Sequence, residues 1–217
     1  MYLTAAESQA IEARIKAVEA RTGTQIVTAV VGKSDTYPEI VWKAFTLAAS
    51  LAAGAVVGVD VLRPNWVSAH VALSNVLPIL GAGVLSAALA LLVPAYAHLY
   101  LQAARARVEV RQFARSVFLM RGLSATRARQ GVLLFASRFE RRMEIVADTG
   151  FEGRVGADDW RSVVDAMAPH LRHGRPAEAM LQGLERAEGM LAEKGFVGDG
   201  TAANELPDRP LELRGPQ

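Results

Sequence analysis

The stretch ADTGFEGRVGADDW, Ala147 to Trp160, gathers Asp148, Glu152, Asp158 and Asp159 between the end of an apolar run and the start of a helical pattern. Carboxylates carried on a loop are hard oxygen donors, the type that holds Ca2+ or Mg2+. The loop lacks the dense alternation of a dedicated calcium loop, and Asp158 is equally well placed to cap the helix that follows. His170 and His173, three apart in PHLRHG, could share a helix face as metal ligands. They also stand at a helix end just before Gly174, where an imidazolium is favourable towards the terminal carbonyls, and no third ligand accompanies them. His70 and His98 flank a long apolar segment and read as interfacial. The chain contains no G-x-S-x-G elbow, P-loop, G-x-G-x-x-G or H-E-x-x-H pattern. It has no cysteine, which removes disulfides, thiolate metal sites and cysteine nucleophiles. No catalytic set emerges from these residues alone.

The elements that must position the loop fall into two kinds. Residues 44–59 carry no formal charge, and neither do residues 64–104. A membrane span needs roughly 20 mostly apolar residues. The first uncharged stretch reaches that length as residues 41–62, with Lys43 snorkelling to one interface and Asp60 in the other. The second is about twice as long as one span needs, and its most apolar part covers residues 76–97. Trp42, Trp66, Tyr96 and Tyr100 fall near the span ends, where amphipathic rings favour the headgroup region. AAGAVVG and GAGVLSAALA place small residues one helical turn apart, which lets helix backbones approach in lipid and allows a homo-oligomer. The competing reading is a hydrophobic hairpin buried in a soluble protein. Some face of such a helix usually meets water, which disfavours so long an uncharged run.

Orientation follows from the basic residues. The loop between the spans holds Arg63 alone, whereas Arg105 to Arg129 holds seven arginines against Glu109, and Lys33 and Lys43 precede the first span. The positive-inside rule then puts both flanking segments in the cytoplasm, at an inner (plasma) membrane, with the loop outside. MYLTAAESQAIEARIKAVEA lacks the basic and apolar regions of a secretory signal. The balance of 24 Lys and Arg against 22 Asp and Glu, without an aromatic stacking platform, gives no sign of nucleic-acid binding.

The flanks read as one interrupted α/β domain. Thr4 with Glu7 forms a capping box for a helix that Gly23 ends, with Ile11, Ile15 and Val18 on one face. QIVTAVVG is a β-branched strand. After the spans, Val110, Phe113, Val117 and Met120 mark the inward face of a basic helix, whose arginines could meet anionic headgroups or merely face solvent. GVLLFASRFERRMEIVAD reads as a strand buried on both faces, a short turn and a half-exposed partner. Two helices close the domain, Asp158 to Leu171 and one starting at Pro176. Four regions result: residues 1–40, the hairpin 41–104, residues 105–195, and an irregular tail 196–217. The hairpin then sits inside a strand–helix–strand crossover of a single domain.

LTAAESQAIEARIKAVEARTGTQIVTAVV and GVLLFASRFERRMEIVADTGFEGRVGADDW together resemble the TPM domain, a fold shared by a thylakoid lumen protein and bacterial relatives. TPM domains similarly open with a helix and a strand around TG-x-QI and later carry GVLL and a hairpin ending near a glycine-containing loop. The inserted hairpin and the terminal NELPD, Asn204 to Asp208, look like a membrane-embedded bacterial subgroup. The resemblance implies an α/β sheet with packed helices. For function it implies either an accessory or assembly factor that binds a membrane protein, or weak phosphatase activity with divalent-cation binding. Relatives usually carry the domain outside the cytoplasm behind a signal peptide, so their extracytoplasmic role does not transfer.

Overall fold

A computed structural model describes residues 2–62, 69–198 and 204–216 of the chain. The chain divides into two compact units, one of Met1–Asp35 with Ala104–Gln217, the other Thr36–Ala103.

In the first unit, α1 (Ala5–Thr22) begins with the Thr4–Glu7 capping box and ends at Gly23, whose φ of 70° is the left-handed conformation a helix stop needs. The strand β1 (Gln25–Val31) follows. The second unit is an antiparallel pair, α2 (Pro38–Leu62) and α3 (Ala69–Leu92). The Ser86 hydroxyl donates to the Ala44 carbonyl at 2.9 Å, and near the other end Asn75 Nδ2 donates to Asp60 Oδ2 at 2.7 Å. Gly83 lets the Phe45 ring approach α3, since a Cβ there would stand 2.7 Å from it. The helical pattern continues to residue 97 in the sequence, but α3 stops at Leu92 and a short α4 (Pro94–Ala97) follows. Pro94 has no N–H to extend the ladder and occupies the first turn of the new helix instead. Trp66 and the His70 side chain lie outside the described residues.

The chain re-enters the first unit through α5 (Ala103–Met120), followed by β2 (Gly131–Ser137), β3 (Arg142–Ala147), α6 (Ala157–Arg172) and α7 (Pro176–Glu193). The mixed α/β fold has a four-stranded sheet of order β3-β2-β1-β4, where β4 is Leu211–Leu213. β2 lies parallel to β1, with Gln25 opposite Gly131 and Val31 opposite Ser137, so α5 is the crossover helix between them. β3 returns antiparallel to β2.

The sheet is covered on both faces, which explains the unbroken apolar runs of β1 and β2. Ile26, Val30, Val132 and Leu134 face α1, α6 and α7, whose Ile15, Met167 and Met180 complete that core. Val27, Ala29, Leu133 and Phe135 point the other way, onto Val110, Ala114 and Val117 of α5. Successive strand residues therefore serve opposite layers.

Two expectations need correction. Met120, read as inward, is 73% exposed; the buried face of α5 runs through Ala106, Val110, Ala114 and Val117. The tail is not wholly irregular, because β4 pairs in parallel with β1, Ala29 opposite Leu211 and Val31 opposite Leu213. Backbone groups on the β1 edge supply a partner that no local pattern in the tail announces. The Gln25 side-chain carbonyl fixes the approach to β4 by accepting from the N–H groups of Glu205 and Leu206 at 2.8 and 3.2 Å.

Candidate functional site

The acidic loop lies where β3 passes into α6, and the structure separates its four carboxylates. Asp148 is buried beneath Arg129: its Oδ1 lies 3.1 Å from Arg129 Nη2 and accepts from the Thr149 N–H at 2.8 Å. Its Oδ2 is buried and has no hydrogen-bond partner among the described residues. Glu152 is exposed. Asp158, 91% exposed at its side chain, pairs with Arg161 at 3.0 Å. Asp159 accepts from the Gly156 N–H at 2.8 Å and meets Lys194 Nζ at 2.7 Å. The Lys194 ammonium, with that amide, holds the Asp159 carboxyl below its ordinary range. The helix cap is also displaced from expectation: Gly156, not Asp158, is the N-cap of α6, and Asp159 closes the turn from its third position.

Among the described residues, no group of three or more His, Asp or Glu side chains converges on a point that could hold a metal ion. His170 and His173 diverge as well. His170 Nδ1 is 3.0 Å from Glu178 Oε2, and His173 Nδ1 is 2.7 Å from the Pro169 carbonyl.

Sequence reading misses two clusters, because each joins segments distant in the chain. The first is a cavity of about 240 Å3 beside the C-terminal half of α1, lined by Lys16, Glu19, Gln25, Asn204 and Asp208. Burial pushes the Glu19 carboxyl up to about 7, and the neighbouring Asp208 carboxylate adds to the rise against the opposing Ile26 N–H, which donates to Glu19 at 2.7 Å. Asn204 Nδ2 donates to both Asp208 oxygens, at 2.9 and 3.0 Å. NELPD thus folds on itself and forms part of the cavity wall.

The second is a cleft of about 320 Å3 between the β2–β3 turn and the α6–α7 junction, lined by Arg138, Arg141, Leu171, Arg172, His173 and Pro176. Arg141 sits at φ 52°, in the left-handed region that closes the turn before Arg142. A clue was present in the sequence, since both turns are arginine-rich, but nothing local says that they meet.

A family model described as the TPM domain matches residues 100–190. The match begins after the apolar helices, so the N-terminal part of the resemblance lies outside it. A search among curated proteins gave no match. Among solved structures, the chain is similar to the NMR structure of the BA42 protein from the psychrophilic bacterium Bizionia argentinensis. The identity is 16%, the TM-score 0.58, and the alignment covers 98% of this chain and 96% of that one. At that identity the likeness speaks for the fold. Residues 100–190 match the TPM domain, and the chain shares the α/β fold of its solved neighbour.

Proposed function

We propose that this chain is an inner-membrane protein whose TPM-like domain faces the cytoplasm and serves as a non-enzymatic accessory or assembly factor by binding another membrane protein. The observation that carries the reading is the outer surface of the α2–α3 pair. Both helices are long and apolar enough to cross a membrane. Within that pair Leu51, Leu62, Leu77, Leu85 and Leu92 are between 67% and 83% exposed. A fully buried leucine is worth roughly 1.5–3 kcal/mol, so such a surface is costly in water and costs nothing against lipid tails. Asp60, the acid at the far end of α2, is answered by Asn75, as a polar group near an interface requires. The arginines of α5 support the cytoplasmic orientation.

Binding is favoured over catalysis by the acidic loop, where Asp158 and Asp159 are already engaged by Arg161 and Lys194. The test is purification from native membranes in mild detergent, with identification of whatever co-purifies in stoichiometric amount. A defined membrane partner supports the reading; a protein that emerges alone and hydrolyses a generic phosphate ester contradicts it.

One observation favours a second reading, a divalent-cation-dependent phosphatase tethered to the membrane. Asp148 Oδ2 is buried without a hydrogen bond among the described residues, and a bare carboxylate oxygen is a natural Ca2+ or Mg2+ ligand. Asp148→Asn and Asp159→Asn separate the two: the phosphatase reading requires turnover to vanish with them, and the binding reading requires partner capture to persist.

A further inference from the structure

The arginine-lined cleft is used by neither reading. Arg138 follows β2 directly, Arg141 closes the turn to β3, and Arg172 and His173 end α6. Among the described residues, no carboxylate lies within ion-pair distance of Arg138, Arg141 or Arg172. Glu178, the acid on the first turn of α7, is taken by Arg175 at 2.8 Å and by His170 at 3.0 Å. The Arg138 guanidinium lies over the Tyr2 ring, 4.9 Å from its centroid.

The cleft also receives the N-terminus of α7. Pro176 lines it, and the N-cap residue Arg175 provides no side-chain hydrogen bond to the first turn. An uncapped helix start presents N–H groups and the positive end of the helix dipole. Guanidinium groups lining the same cleft as such a terminus suit a tetrahedral oxyanion, to which arginine can donate two parallel hydrogen bonds.

Val31 stands opposite Ser137 in the parallel register, and the Arg138 N–H donates to the Val31 carbonyl at 3.0 Å. The cleft is therefore at the end of the sheet where the chain leaves this unit at Asp35 and returns at Ala104. Each basic residue near an anionic lipid surface contributes about 1 kcal/mol.

We infer that the cleft formed by Arg138, Arg141, Arg172 and the start of α7 is a binding site for a phosphate group, supplied by the headgroup of an anionic phospholipid or by free phosphate. The lipid source rests on the membrane reading above; the free-phosphate source does not.

The test uses the full chain purified in a non-ionic, phosphate-free detergent buffer. Phosphatidylglycerol and phosphatidylcholine are titrated separately and followed by native mass spectrometry, and inorganic phosphate is titrated by calorimetry. Arg141→Gly removes a guanidinium while placing glycine at a left-handed position, so it should fold at least as well as the parent. Arg172→Ala removes a second, exposed guanidinium. Each variant is expected to weaken binding about tenfold, the scale of one lost charge-assisted hydrogen bond. Preference for phosphatidylglycerol, lost in both variants, identifies the lipid headgroup; binding of inorganic phosphate with the same losses identifies a free-phosphate site. Failure of both probes to bind, or binding equal in parent and variants, overturns the inference. Phosphate binding without lipid binding preserves the site while removing its membrane link, so the two readings fail separately.

Discussion

Arg105 Nη2 lies 2.8 Å from Asp35 Oδ2, joining the residue at which the chain leaves the α/β unit to the first turn of the helix by which it returns. One ion pair thereby closes the neck through which 68 residues, Thr36–Ala103, are inserted between β1 and α5. The insertion costs the sheet little because both its ends emerge side by side. Partly exposed pairs of this kind contribute about 0–1 kcal/mol, so Asp35→Asn should leave global unfolding nearly unchanged. Hydrogen exchange should instead quicken at the first turn of α5, and unchanged protection there would count against the neck.

Glu188 on α7 bridges two arginines of α1, lying 2.5 Å from Arg14 and 2.6 Å from Arg21. Its side chain is 12% exposed but that of Arg21 is 71% exposed, so water replaces part of those contacts. Glu188→Ala should therefore cost about 1–2 kcal/mol, mostly through the half-buried Arg14. Glu188→Gln, which keeps the shape and an acceptor, should cost less. Denaturant unfolding of both variants gives the comparison.

Glu19 makes stability depend on pH. Its folded-state carboxyl is pushed up to about 7 from an ordinary 4.5, mainly by burial. Between those values the folded state binds the proton that the unfolded state has lost. The contribution is therefore fully present below about pH 4.5 and declines as pH rises through about 7. Glu19→Gln should flatten this part of the profile; a variant whose unfolding midpoint still falls over that window would refute the assignment. Lys16 and Asp208 face the same cavity, and Glu12 pairs with Lys16, so measurement at two salt concentrations separates their screened part.

Gly131 opens β2 against the Leu123 carbonyl, where a Cβ would stand 2.2 Å from the oxygen. The obstacle is backbone, which cannot rotate away. Gly131→Ala should destabilise by about 3 kcal/mol, measurable as a lowered denaturant midpoint.

Gly83 and Gly81 distinguish the two faces of α3. A Cβ at Gly83 meets the Phe45 ring at 2.7 Å, whereas at Gly81 no described residue beyond the helix's own turn lies within 4 Å. Gly83→Leu should lower the thermal midpoint of the detergent-solubilised protein, and Gly81→Leu should not. Any loss of self-association with Gly81→Leu at full stability would point to a second copy on that face.

Legibility followed the range of the interactions. The capping box of α1, the glycine stop, the β2–β3 hairpin and the proline start of α7 are written in a few adjacent residues, and the structure has all of them. The two apolar helices declare themselves by length alone. What escaped depends on distant partners. β4 is three residues between proline- and glycine-containing stretches, too short for any periodicity, and exists because the β1 edge accepts it. Met120 continues a helical spacing but turns outward because α5 meets the sheet through Val110, Ala114 and Val117, and Ala114 is a small residue the pattern undervalues. The acidic loop looked like a cluster because its members are close in sequence; Arg129, Arg161 and Lys194, from three other places, divide it. The arginine cleft shows the converse, with residues 34 apart meeting at one wall.

The central claim is that α2 and α3 cross a membrane with both flanks on the cytoplasmic side. The absence of cysteine permits single-site labelling in intact cells with a membrane-impermeant thiol reagent. Ser68, in the segment between the helices, serves as the outer site. Ser137 is fully buried and cannot report, whereas Gln182 on α7 is exposed and can. The account predicts that Ser68→Cys reacts in intact cells and that Gln182→Cys reacts only after lysis. Labelling of Gln182→Cys in intact cells, with Ser68→Cys protected, would contradict it.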